Sequence, residues 1–184
     1  MVAGGSKGTF PVVRTFQKTA LEHNRVVEAS LENEDTRTLV GCGHVLPGNR
    51  VVIVDSETFT QCPPGSVGEI WLSSPSVAQG YWQRPEETER TFHAYLADTG
   101  EGPFLCTGDL GFLQDGELFV TSRLKDLIII RGRNHYPQDI ELTVEQSHPA
   151  LRASAGPGGT RKMEGSYFQG SPTGFSVVRH YGSA

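Results

Sequence analysis

The order of elements in the sequence predicts an α+β fold, with a β-rich body over about residues 39–122 followed by a polar hinge, one strand and one helix. Three observations carry it. Asp115-Gly116, set between Leu110-Gly111-Phe112-Leu113 and Leu118-Phe119-Val120, is a hairpin signal, because Gly116 supplies the positive φ that a tight turn needs. Leu127-Ile128-Ile129-Ile130 is a mostly β-branched apolar run, too short for a helical pattern, and reads as a buried strand. Pro137 then sits where a first helical residue belongs, with Asp139 and Glu141 favouring the positive end of the helix dipole.

Taken in order, residues 1–38 are polar and hold one helix over about 17–31, whose apolar positions form only a broken stripe. Residues 39–74 read as β structure. Val51-Val52-Ile53-Val54-Asp55 is a strand, Cys62-Pro63-Pro64-Gly65 a turn, and 67–72 a second strand. Residues 75–103 read as loop, helix, loop, with Pro85 at the first helical position and Glu86, Glu87 and Glu89 behind it. Tyr81 and Trp82 are expected to pack this loop against the β body. The helix from Pro137 should reach about Ser147, where Pro149 stops it. Beyond Leu151 the run Ala153-Ser154-Ala155-Gly156-Pro157-Gly158-Gly159 is linker-like, and 160–184 shows neither helical nor strand period. The tail, 152–184, is therefore expected to be largely disordered.

Composition narrows the function. No apolar run approaches the ~20 residues of a spanning helix, so no membrane span is expected. The first eight residues lack the apolar core of a signal peptide. Cys42, Cys62 and Cys106 are odd in number and without metal-ligand spacing, which points to reduced thiols, a cytoplasmic location and no metal site. A net charge of -5 argues against nucleic acid, whose phosphates want a basic face. Gly41-Cys42-Gly43-His44 has no phosphate-loop spacing, and His44 reads as a structural or surface histidine.

The polar residues of 104–141 leave two readings open. Asp109 follows Thr107-Gly108, where glycine lets another group approach the backbone, and a carboxylate at such a turn can accept hydrogen bonds from both hydroxyls of a ribose. Arg123 and Lys125 occupy alternate positions near a strand entrance and are able to face one anionic or ribosyl ligand. On composition alone, Asp109 stabilises a turn, and Arg123, Lys125 and Asp126 form a solvated charge cluster.

Three ordered segments add a resemblance. They are Gly68-Glu69-Ile70-Trp71 with Val77-Ala78-Gln79-Gly80-Tyr81-Trp82-Gln83-Arg84-Pro85-Glu86, then Thr107-Gly108-Asp109-Leu110, then Arg123-Leu124-Lys125-Asp126 through to Arg131-Gly132-Arg133. Together they resemble the hinge region of the adenylate-forming superfamily (acyl-CoA synthetases, luciferases and adenylation domains). Gly132-Arg133-Asn134-His135-Tyr136-Pro137-Gln138-Asp139-Ile140-Glu141 most resembles its fatty acyl-AMP ligase branch. Those enzymes activate a fatty acid with ATP and pass the acyl group to an acyl carrier protein.

The resemblance implies a division into 1–122, the end of a large adenylation domain with a small distorted β-barrel; 123–151, the hinge and the truncated start of a C-terminal α/β domain; and a divergent 152–184. It implies that Asp109 binds the ribose of ATP and of the acyl-adenylate, that Arg123 contacts the same ribose or a nearby phosphate, and that Lys125 is the hinge. By position, 7–38 matches an insertion of this branch that restrains the small domain and disfavours coenzyme A. The family's cofactors are ATP/AMP and Mg2+, and its partners a fatty acid and a carrier protein. Its phosphate loop, Thr-Glu motif and late catalytic lysine are not found in these residues, so the expectation is a fragment, inactive alone, from a truncated or frameshifted gene. An acyl-CoA synthetase or peptide-synthetase adenylation fragment, or a non-catalytic nucleotide-binding module, are the alternatives.

Overall fold

The computed structural model describes residues 2–5, 8–30 and 35–148, and the backbone of 160–163, 166–171 and 174–178. The chain divides into two compact units, 1–136 and 137–184.

The first unit is built on one antiparallel sheet. Its strands are β1 (Ala3–Gly4), β2 (Val13–Gln17), β3 (Thr36–Val45), β4 (Arg50–Val54), β5 (Gly68–Ser73), β6 (Leu105–Gln114) and β7 (Glu117–Arg123). They run in the order β1-β3-β7-β6-β5-β4, with β2 on another stretch of β3, and the sheet curls into a half-barrel. Asp115 and Gly116 turn the β6–β7 hairpin with φ of 51° and 79°, as the Asp-Gly signal requires. Phe112 pairs with Phe119 and Asp109 with Arg123 along that ladder, across a register shift between Leu110 and Gly111.

Alternation along the strands buries both sheet faces. On one, Phe16, Phe112 and Phe119 sit with their ring centroids 5.0 to 5.5 Å apart, and Leu21, Leu39, Val67, Leu110 and Tyr136 join them. Val51, Ile53, Ile70, Leu72 and Leu118 form a second cluster, and Val52, Val54, Trp71, Leu96 and Phe104 a third. α2 (Pro85–Phe92) begins at its proline, with Glu86 and Glu87 in its first turn.

Four expectations are corrected. The sheet extends beyond 39–122, since it takes in β1 and β2. The helix over 17–31 shrinks to the single turn α1 (Lys18–Leu21), because the preceding Val13–Gln17 is claimed by β3 and Asn24 takes a φ of 55° that ends the turn. Trp82 is 88 % exposed, and the half-exposed Tyr81 packs edge-on against Phe92 of α2. Finally, β8 (Ile128–Ile130) is exposed along its length, because among the described residues it pairs only with the short β9 (Arg133–His135).

The second unit holds α3 (Pro137–Ser147), which starts at Pro137 as expected. It also holds an antiparallel meander of β10 (Thr160–Met163), β11 (Ser166–Ser171) and β12 (Gly174–Val178). These strands correct the reading of 160–184 as without strand period, and the rest of the tail expected to be disordered lies outside the described residues.

Phe16 therefore belongs to the core despite its polar neighbourhood. Phe16→Ala should cost about 3–5 kcal/mol in denaturant unfolding. Ile129→Ser, on the exposed ribbon, should stay within about 0.5 kcal/mol.

Candidate functional site

The candidate site is the Thr107-Gly108-Asp109 segment of β6 and the strand opposite it. The β5–β6 ladder shifts register between Glu69 and Trp71, which breaks regular pairing just where this segment lies. Glu69 fills the gap. Its carboxylate, only 6 % exposed, accepts the Gly108 backbone N–H through Oε1 at 2.9 Å and the Trp71 indole N–H through Oε2 at 2.9 Å. Thr107 adds a second anchor: its hydroxyl donates to the Ile70 carbonyl at 2.6 Å and accepts the Asp109 N–H at 3.1 Å. Gly108 sits at φ 71°, in the left-handed region that favours glycine, and the space where a Cβ would lie is open.

That backbone aims Asp109 outwards. Its side chain is 35 % exposed, and its Oδ1 accepts one hydrogen bond from Arg123 Nε at 3.3 Å. An exposed, single-contact ion pair of this length stabilises little, so a ligand can replace it at small cost. The carboxylate keeps lone pairs for a vicinal diol, and the adjacent guanidinium offers donors for an anion.

Lys125 lies beyond Arg123 in a one-turn 3-10 segment, Leu124–Asp126, and is exposed. The structure thus brings Asp109 and Arg123 together and leaves Lys125, which the alternate spacing had set beside Arg123, on the adjoining turn. The sequence reading gave no role to Glu69, although a charged residue in the apolar run Gly68-Glu69-Ile70-Trp71 is the signal for one. His44, read as a structural or surface histidine, is largely exposed. Its Nδ1 lies 3.1 Å from the buried Glu117 carboxylate, which also accepts the Gly43 N–H.

Two further residues fix the segment that follows the Leu124–Asp126 turn. Asn134, 7 % exposed, donates its backbone N–H to the Glu22 carbonyl at 3.0 Å and its side-chain amide to Asn24 Oδ1 at 2.7 Å. Tyr136, 1 % exposed, donates its hydroxyl to the Leu21 carbonyl at 3.1 Å, under the Arg37 guanidinium at 4.3 Å from its ring centre. Neither was visible in the sequence, since their partners lie more than a hundred positions away.

Burial, and then the nearby Glu69 charge, push the Cys106 thiol up to about 12. At pH 8 it is protonated and unreactive, whereas Cys42 is exposed. A disulfide reagent at pH 8 should modify Cys42 rapidly and reach Cys106 only on unfolding. Equal rates for the two would contradict this packing.

Residues 16–82 match the family model for AMP-binding enzymes. The chain is 60% identical over 146 residues to the medium-chain-fatty-acid–[acyl-carrier-protein] ligase JamA of Moorena producens, covering 78% of this chain and 25% of that protein. It is 47% identical over 126 residues to the long-chain-fatty-acid–AMP ligase FadD28 of Mycobacterium tuberculosis, covering 66% of this chain and 22% of the relative. A fatty acyl-adenylate ligase of Legionella pneumophila, solved with acyl adenylate and pyrophosphate, superposes with a TM-score of 0.65 at 37% identity, covering 96% of this chain and 29% of that one. The chain spans about a quarter of the length of these relatives. It belongs to the AMP-binding, adenylate-forming family and aligns there with a segment of the fatty acyl-AMP ligases.

Proposed function

We propose that these residues form the ribose-binding and hinge segment of an enzyme that activates a fatty acid with ATP and passes the acyl group to an acyl carrier protein. The supporting observation is the outward Asp109 carboxylate, anchored through Glu69 and Thr107, beside Arg123 and immediately before the exposed Lys125 turn.

In this reading Asp109 accepts both ribose hydroxyls, and Arg123 leaves its loose ion pair to contact the ribose or the adjoining phosphate. Their contribution is position and charge, the chief protein contributions to adenylyl transfer. ATP supplies the activated phosphorus. Among the described residues no group of three or more His, Cys, Asp or Glu side chains suits a metal ion, and the magnesium that accompanies ATP would be held by groups other than these. Lys125 acts as the pivot between half-reactions.

Residues 7–38 restrain the segment beyond that pivot. The bonds from Asn134 and Tyr136 to Glu22, Asn24 and Leu21 support this reading, since they tie residues on the far side of Lys125 to the N-terminal stretch. A segment so tied favours delivery to a carrier protein over coenzyme A.

Three outcomes follow. AMP should shift the amides of Gly108, Asp109 and Arg123 in an NMR titration of the chain, and Asp109→Ala should abolish those shifts; equal shifts in the variant would sink the ribose assignment. The chain alone, given ATP, magnesium and dodecanoate, should form no dodecanoyl-AMP above background, and product would overturn its reading as a partial site. Tyr136→Phe should lower stability by about 0.5–1.5 kcal/mol and speed amide exchange over 128–136, because one hydrogen bond to the Leu21 carbonyl is lost while the Asn24 N–H still donates to it.

A further inference from the structure

The bonds that dock the post-hinge ribbon have a second effect. Asn24 and Asn134 pair side chain to side chain, and the next residue on one side is Arg25 while the preceding one on the other is Arg133. These two arginines line a cleft of about 250 Å³ together with Gln17, Thr19, Ala20 and His23. No acidic side chain lines it. Among the described residues neither guanidinium has an ion-pair or hydrogen-bond partner, although Arg14, Arg50, Arg84 and Arg123 each pair with a carboxylate.

The remaining lining is polar and oriented. His23 donates its Nδ1–H to the Thr19 carbonyl at 2.8 Å, which fixes the ring at the rim and leaves Nε2 as an acceptor able to take a phosphate O–H. Backbone bonds fix the walls: Arg25 N–H to the Ala20 carbonyl, Val26 N–H to the Gly65 carbonyl, and Asn134 N–H to the Glu22 carbonyl. Two uncompensated cations held near one another in a chain of net charge -5 repel, and an anion between them removes the repulsion. A guanidinium fork matches the oxygens of a phosphate group, and a cleft of this size admits one.

We infer that Arg25 and Arg133 form an oxyanion site that takes a phosphate group, separate from the Asp109 site. Arg25 belongs to the N-terminal stretch and Arg133 to the ribbon beyond Lys125, so one phosphate bound by both strengthens the tie between them. The inference stands on the cleft and does not require the adenylate reading.

The test uses the 184-residue chain and amide NMR titration with inorganic phosphate, AMP and adenosine at low salt. Inorganic phosphate should shift the amides of residues 19–25 and 132–134. Arg25→Gln and Arg133→Gln should each weaken that binding about five- to tenfold, and Asp109→Ala should leave it unchanged. AMP shifting these amides no more tightly than phosphate identifies the free anion as sufficient, while tighter AMP binding there identifies a phosphate ester as the preferred ligand. Adenosine should leave the cleft untouched. Phosphate affinity unchanged in the Arg25→Gln, Arg133→Gln double variant, or no shift with either phosphate compound, would overturn the site.

Discussion

The register of the β6–β7 hairpin is the constraint on which the rest depends. Asp115 and Gly116 both adopt positive φ, a conformation that matches the twist of the flanking strands and fixes which residues face each other. A slip of one residue would turn Phe112 and Phe119 to the other face and scatter the aromatic cluster that Phe16 completes. It would also part Asp109 from Arg123. The core and the candidate site are therefore specified by the same turn, and the register shift at Leu110–Gly111 sets the site apart from the regular ladder.

Glu69 shows how a buried charge serves such a site. A carboxylate taken from water is costly unless its oxygens are hydrogen-bonded, and here both are. In return the Gly108 amide, displaced from the ladder by the shift, has a partner, and the turn holds Asp109 outwards. The order of support runs from sequence to chemistry: a shifted ladder, a glycine at positive φ, a buried acceptor, an exposed carboxylate.

Local signals were legible and long-range ones were not. The Asp-Gly hairpin, the prolines opening α2 and α3 and the strands around 50–54 and 68–73 all follow from short patterns, whereas Asp109 and Arg123 were linked only through the resemblance, which set both at one ribose. Phe16 was unreadable as core because its strand lies in a polar stretch and its partners come a hundred positions later. Ile128, Ile129 and Ile130 read as buried because an apolar β-branched run normally is, yet among the described residues only β9 pairs with them. Trp82 misleads for the same reason, since size and aromaticity predict packing without naming a partner. Asn134 and Tyr136 depend on carbonyls and an amide of 21–24, contacts that no spacing rule reports.

The central claim is that the Thr107-Gly108-Asp109 turn grips ribose through the Asp109 carboxylate, and amide NMR of the chain with AMP and with its 2′,3′-dideoxy analogue tests it most directly. The account predicts shifts centred on Gly108, Asp109 and Arg123 with AMP that vanish when both hydroxyls are removed. Equal shifts with the two nucleotides, or shifts confined to other residues, would contradict it.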